Sequence, residues 1–233
     1  MEYTIRLDVS MLRIQARVTD ENGVEKEFTA RQNHNESLLG ATVTVAAALE
    51  NIKAALTEVV ADLPAEHKIG MITLVTNVDA WVALDQAWQP ITGLLEGEQA
   101  DRQRYADALR ANGVATQLEA KSGTMITAGT PLVTLLWLKN ERPADYAKMA
   151  HFVSFKDFLF HEWFGINATL LKTAASSGLY NLNDNTWDAQ GLALTGLTAE
   201  VLPNVINDRY VKGNLKVEIA HALGVPVNTR FGW

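Results

Sequence analysis

Cysteine is absent from all 233 residues, which excludes disulfides, thiolate metal ligands and a thiol nucleophile. Basic clusters are absent as well: the formal charge is −7 and the 20 lysines and arginines are scattered singly. No stripe tracks a phosphate backbone, so nucleic acid is not an expected partner. No apolar stretch approaches the roughly 20 residues needed to cross a bilayer. The opening MEYTIRLDV lacks the basic region and apolar plug of a signal peptide. A cytoplasmic location without a membrane partner is the resulting expectation. The five histidines, His34, His67, His151, His161 and His221, contain no pair spaced to put two ligands on one helical face, so no histidine metal site is expected. Neither of the glycine-rich phosphate loops, Gly-x-x-x-x-Gly-Lys-Ser/Thr or Gly-x-Gly-x-x-Gly, occurs. Ser176-Ser177-Gly178 has no glycine two residues before a serine, as a nucleophile elbow would, and reads as a tight packing turn.

What is present suits a globular α/β chain with a sizeable core, since 48% of residues are hydrophobic and 20% charged. A single domain is expected, with the region after Asn167 as a candidate subdomain. Residues 3–8, 12–18 and 25–30 read as an antiparallel meander, the second turn supplied by Asp20-Glu21-Asn22-Gly23. Val45, Ala48, Leu49, Ile52, Leu56, Val59, Val60 and Leu63 recur at helical spacing between about 40 and the stop at Pro64. The run Met71–Val75 reads as a strand buried on both faces, with Trp81–Leu84 as its neighbour. Helices are expected near 99–111, from Pro131 to Lys139, and from Phe158 to a stop at Gly165, with a strand at His151–Phe155. Beyond Asn167, short helical pieces punctuated by glycine and proline dominate.

For chemistry, Asp8 is the leading single residue: an aspartate at a strand end before a short turn faces a phosphate or its metal, or else caps the turn. The six tryptophans suit sugar stacking in principle, but Trp137 and Trp163 sit at helical spacing and read as core.

From Pro131 to Ile206 the chain resembles the N-terminal domain of the FGGY family of carbohydrate kinases. The elements run in family order: Leu135-Leu136-Trp137-Leu138-Lys139 then Pro143; Lys156-Asp157 ahead of a helix ending at Gly165; Ala174 to Gly178-Leu179-Tyr180; Trp187-Asp188; Leu202-Pro203. The likeness covers nearly all of residues 1–233, with the gluconate and xylulose kinases most similar after Ala174. It implies an actin-like, ribonuclease-H-like fold: a mixed sheet that begins with an antiparallel meander and is flanked by helices. It also implies transfer of the ATP γ-phosphoryl group to a sugar or sugar-acid hydroxyl, with Mg²⁺, in enzymes where positioning and charge neutralisation supply most of the catalysis.

By the same resemblance, Asp8 lies on the phosphate and Mg²⁺ side, while Asn77, Asp79 and Trp81 fall in or beside the sugar-contacting stretch. Departures are visible: Ser10, Met11 and Leu12 replace a glycine and two small hydroxylated residues, Gln15 replaces a basic residue, and Leu170 replaces an aspartate. Thr76-Asn77-Val78-Asp79 and Leu94–Glu98 do not match the family's sugar elements. The family's general base belongs to a Gly-Asp that follows the strand GVPVNTRFGW, and the C-terminal ATP-binding domain follows that. Both are expected outside this chain, so no catalytic residue is assigned within it and the chain alone is expected to be inactive. The alternative expectation is a non-catalytic remnant or binding module that keeps the fold with a decayed site. If the partner domain is missing, Phe231 and Trp233 are expected to be uncovered, with homodimerisation through that C-terminal edge.

Overall fold

The computed structural model describes residues 1–10, 13–32, 43–76 and 80–233. In chain order the strands are β1 (Glu2–Val9), β2 (Arg13–Asp20), β3 (Glu25–Gln32), β4 (Lys68–Thr76), β5 (Ala80–Leu84), β6 (Leu95–Glu96), β7 (His151–Ser154), β8 (Ala168–Leu170), β9 (Tyr180–Asn181), β10 (Thr186–Trp187), β11 (Asn204–Ile206) and β12 (Phe231–Gly232). The helices are α1 (Val45–Ala61), α2 (Gln103–Ala111), α3 (Val114–Ser122), α4 (Pro131–Glu141), α5 (Pro143–Tyr146), α6 (Phe155–Phe164), α7 (Leu171–Ser176), α8 (Ala189–Thr195) and α9 (Val217–Leu223). This is mixed α/β, and the chain falls into two compact units.

The first unit comprises Met1–Asp79, Lys156–Asn167 and Asp208–Trp233. Its sheet has the order β12-β4-β1-β2-β3, antiparallel across β1-β2-β3 and parallel across β1-β4 and β4-β12. The second hairpin forms where turn chemistry demands it: Asp20 Oδ1 accepts from the Asn22 and Val24 amides at 2.9 Å, and Gly23 takes φ +80°. Period-two alternation then decides the faces, with Ile5, Leu7, Val9, Ile14, Ala16 and Val18 buried. Against β2 and β3 packs α1, whose Val45, Ala48, Ile52, Ala55, Leu56, Val59 and Val60 form its buried stripe. Thr44 caps it, accepting from the Ala47 amide at 3.1 Å. The expected start near residue 40 lies outside the described residues.

The C-terminal edge corrects an expectation. Phe231 is buried, with its ring edge-on to Trp163 and Phe164 at 5.9 and 5.2 Å. Trp233 is half-buried and edge-on to Phe160 at 4.6 Å, and its amide donates to Arg209 at 3.2 Å. The aromatic residues of α6 thus cover Phe231 and pack on one edge of Trp233, in place of the uncovered pair expected.

The second unit comprises Ala80–Phe155 and Ala168–Asn207. Its three-stranded sheet has the order β6-β5-β7, so Trp81–Leu84 is not the neighbour of β4; it pairs antiparallel with β7, Trp81 opposite Ser154. The core gathers Trp81, Leu109, Leu118, Leu132, Leu135, Phe152 and Leu179. Two small pairs, β9-β10 and β8-β11, lie among the short helices expected to dominate beyond Asn167. A further helix, α3, fills Val114–Ser122 between Gly113 and Gly123, which take φ +76° and +69°.

One turn in this unit carries strain. Asp85 Oδ1 accepts from the Ala87 and Gln89 amides at 2.8 and 2.9 Å, which folds Asp85–Gln89 back onto β5 and leaves Trp88 at φ +60°. The left-handed conformation disfavours any side chain, and the Trp88 ring offsets this by stacking on His151 at 4.1 Å. Trp88→Ala loses the stacking and keeps the strain, whereas Trp88→Gly loses both. Chemical denaturation should therefore find the glycine variant more stable than the alanine variant by about 1 kcal/mol; equal midpoints would remove the strain argument.

Candidate functional site

Asp8 is the penultimate residue of β1, on the face opposite Ile5, Leu7 and Val9. Arg6, two residues back, necessarily shares its face, and Arg17 stands opposite Arg6 in the antiparallel register. Arg6 Nε donates to the two Asp8 carboxylate oxygens at 3.0 and 3.1 Å and its Nη2 donates at 2.9 Å, while Arg17 Nη2 lies 3.7 Å away. The Asp8 hydrogen bond raises the Arg6 guanidinium above its usual value, slight burial opposing. The Asp8 side chain is 22% exposed, and Arg6 and Arg17 are 47% and 45% exposed. Ion pairs this open contribute only about 0–1 kcal/mol. The carboxylate is therefore held in place without being locked, and an incoming cation could compete for it.

Two positively charged residues thus stand beside Asp8, although Gln15, directly opposite it in β2, is neutral and hydrogen-bonds Glu27. Arg17 sits one full strand period beyond Gln15 on the same face, opposite Arg6, with its Nη2 3.7 Å from Asp8 Oδ2. The alternation Arg6-x-Asp8 was readable in the sequence; Arg17 needed the register.

The turn after β1 is closed on itself. The Ser10 amide donates to the Arg13 carbonyl at 2.9 Å, the Ser10 hydroxyl donates to the same carbonyl at 2.8 Å, and the Arg13 amide donates to Ser10 Oγ at 3.2 Å. The Ser10 and Arg13 amides are thus engaged internally; Met11 and Leu12 lie outside the described residues.

Asn77 and Asp79 also lie outside the described residues. Trp81 is 1% exposed and stacked on Phe152 at 5.0 Å between centroids. So enclosed a ring serves packing, and it leaves the set of sugar-contact candidates. Leu94 and Leu95 are likewise buried, so that segment turns its apolar side chains inward. Among the described residues no group of three or more histidine, aspartate or glutamate side chains is arranged to hold a metal, and no helix is long and apolar enough to cross a membrane.

Comparison with known proteins adds to this geometry. The family model described as "FGGY family of carbohydrate kinases, N-terminal domain" matches residues 3–231. The chain is 22% identical to a gluconokinase of Bacillus subtilis over 234 aligned positions, covering 98% of this chain and 45% of that protein. It is 22% identical to a xylulose kinase of Staphylococcus xylosus, with 98% and 47% covered. The crystal structure of a ligand-bound xylulose kinase from Lactobacillus acidophilus superposes with a TM-score of 0.86 at 19% identity, over 100% of this chain and 47% of that one. A gluconate kinase from the same organism gives 0.86 at 19%, over 99% and 47%. The chain spans about half the length of the curated relatives it matches.

Proposed function

This chain belongs to the FGGY family of carbohydrate kinases, and on that premise we propose that it forms the sugar-side half of an ATP-dependent kinase acting on a hydroxyl of a gluconate- or xylulose-like substrate. The observation that carries the reading is the end-to-end match of residues 3–231 to the N-terminal portion of kinases about twice as long. In the reaction the γ-phosphoryl group leaves ATP for a sugar hydroxyl, whose proton goes to a general base. That base and most of the nucleotide contacts are assigned to residues outside this chain, in a C-terminal domain.

The fit to Mg²⁺-ATP within the chain is partial. Asp8, partly exposed at a strand end, suits the metal side of a bound phosphate, and Arg6 and Arg17 orient it. The Ser10 and Arg13 amides donate within the turn, so neither is free for a phosphate. The engagement of the Ser10 and Arg13 amides with each other's residue favours the second reading, a binding module that has kept the fold while its phosphate loop decayed.

The 233-residue chain alone is expected to show no ATP-dependent phosphorylation of gluconate, xylulose, ribulose or glycerol in a coupled assay. Turnover above background with any of them would overturn the assignment of the base to a separate domain.

A further inference from the structure

At the opposite end of β1 from Asp8, about 20 Å away along six residues of extended strand, the first unit holds a cavity of about 380 Å³. Glu2, Lys68, Gly70, Asn228, Thr229 and Arg230 are among the residues that line it. Several features of this cavity are built into the backbone. The β1-β4 register slips between Tyr3 and Thr4, which leaves Gly70 as an extra residue on β4. The Glu2 carboxylate lies over that glycine, so close that a Cβ there would stand 2.3 Å from Glu2 Oε1. The turn Pro226–Thr229, closed by the Thr229 amide donating to the Pro226 carbonyl at 3.0 Å, forms another wall.

The polar groups of this cavity are incompletely matched. Lys68 Nζ stands 3.4 Å from Glu2 Oε2. Arg230 has no ion-pair partner among the described residues, and its guanidinium lies 4.7 Å over the Tyr210 ring. Thr229 is 6% exposed and its hydroxyl has no hydrogen-bond partner among the described residues. A buried hydroxyl without a partner, an exposed guanidinium without a carboxylate partner among the described residues and a lysine already facing a carboxylate are the components of an oxyanion site. Glu2, whose side chain is 49% exposed, occupies part of it.

We propose that this cavity binds a small oxyanion, the phosphoryl or carboxylate group of a metabolite, through Arg230, Lys68 and Thr229, with the Glu2 carboxylate as an intramolecular competitor. The site is separate from the Asp8 face and does not depend on the kinase reading.

The test is an amide NMR titration of the 233-residue chain with inorganic phosphate and with acetate, against sodium chloride at matched ionic strength. Saturable shifts centred on Gly70, Thr229 and Arg230 are expected. Saturation at lower phosphate concentration would assign a phosphoryl ligand, and at lower acetate concentration a carboxylate. Arg230→Ala should weaken binding at least tenfold, and Glu2→Gln should tighten it several-fold. Both side chains are exposed, so both variants should fold, and unchanged spectra away from the cavity check this. Shifts no larger than those with chloride, shifts centred elsewhere, or Glu2→Gln failing to tighten binding would each overturn the proposal.

Discussion

Gly178→Ala is expected to destabilise the chain by about 2–4 kcal/mol, combining the left-handed backbone cost with overpacking. Gly178 takes φ +73°, and a Cβ there would come 2.8 Å from Ile126 Cδ1 and 2.9 Å from Thr130 Cγ2. Neither neighbour has room to move freely. Ile126 is 1% exposed, and the Thr130 hydroxyl accepts from the Thr127 amide at 2.9 Å while donating to the Met125 carbonyl at 3.2 Å. The turn is tied down on its other side too. Buried Ser177 donates to the Ala174 carbonyl and accepts from the Leu179 amide at 3.1 Å, and its own carbonyl accepts from the Leu132 amide at 3.0 Å. Urea denaturation followed by tryptophan fluorescence measures the effect. A midpoint within error of the parent chain would show that the α4 and α7 ends relax around the added methyl group.

The second large effect is a pH dependence. Burial pushes Lys156 down to about 8 from 10.5, with neighbouring Asp157 opposing the fall. Below about pH 8 both folded and unfolded chains carry the proton, and the cost of burying the ammonium is present in full. Between about 8 and 10.5 the unfolded chain still holds a proton that the folded chain has released, so this group's contribution raises stability as pH rises. The total rise is on the order of 3 kcal/mol, at about 1.36 kcal/mol per unit. Lys156→Met removes this group's titration, so the stability difference between the parent and this variant should shift in the parent's favour from pH 7.5 to pH 10. A difference constant across that range would show that the Lys156 ammonium remains solvated.

Much of this architecture was legible where a local rule decides. Asp20-Glu21-Asn22-Gly23 specified its own turn, the 3.6-residue stripe from Val45 to Val60 specified α1, and Ser176-Ser177-Gly178 announced a packing turn. Strand partners were less legible, because pairing is decided by what packs on the sheet. Trp81–Leu84 is a uniformly apolar run that suits either sheet, and only the antiparallel fit to His151–Ser154 separates it from β4. Val114–Ser122 is two turns long between glycines, too short for periodicity to signal a helix. At the candidate site, alternation put Arg6 beside Asp8. Arg17 required the hairpin register, and the closed state of the Ser10 turn depends on a serine hydroxyl that a sequence does not orient. Phe231 and Trp233 were expected to be uncovered because the resemblance assigns their cover to a partner domain; the rings that pack on them come instead from α6, some 70 residues earlier in the chain.

The claim that this chain supplies the sugar side of a carbohydrate kinase is tested most directly by calorimetric titration of the 233-residue chain with gluconate and with xylulose. The account predicts saturable millimolar or tighter binding of at least one of them, with glucose-free buffer and sodium chloride giving no heat of binding. Absence of binding by both sugars, with the chain folded by circular dichroism, would contradict it and leave a kinase fold without a kinase site.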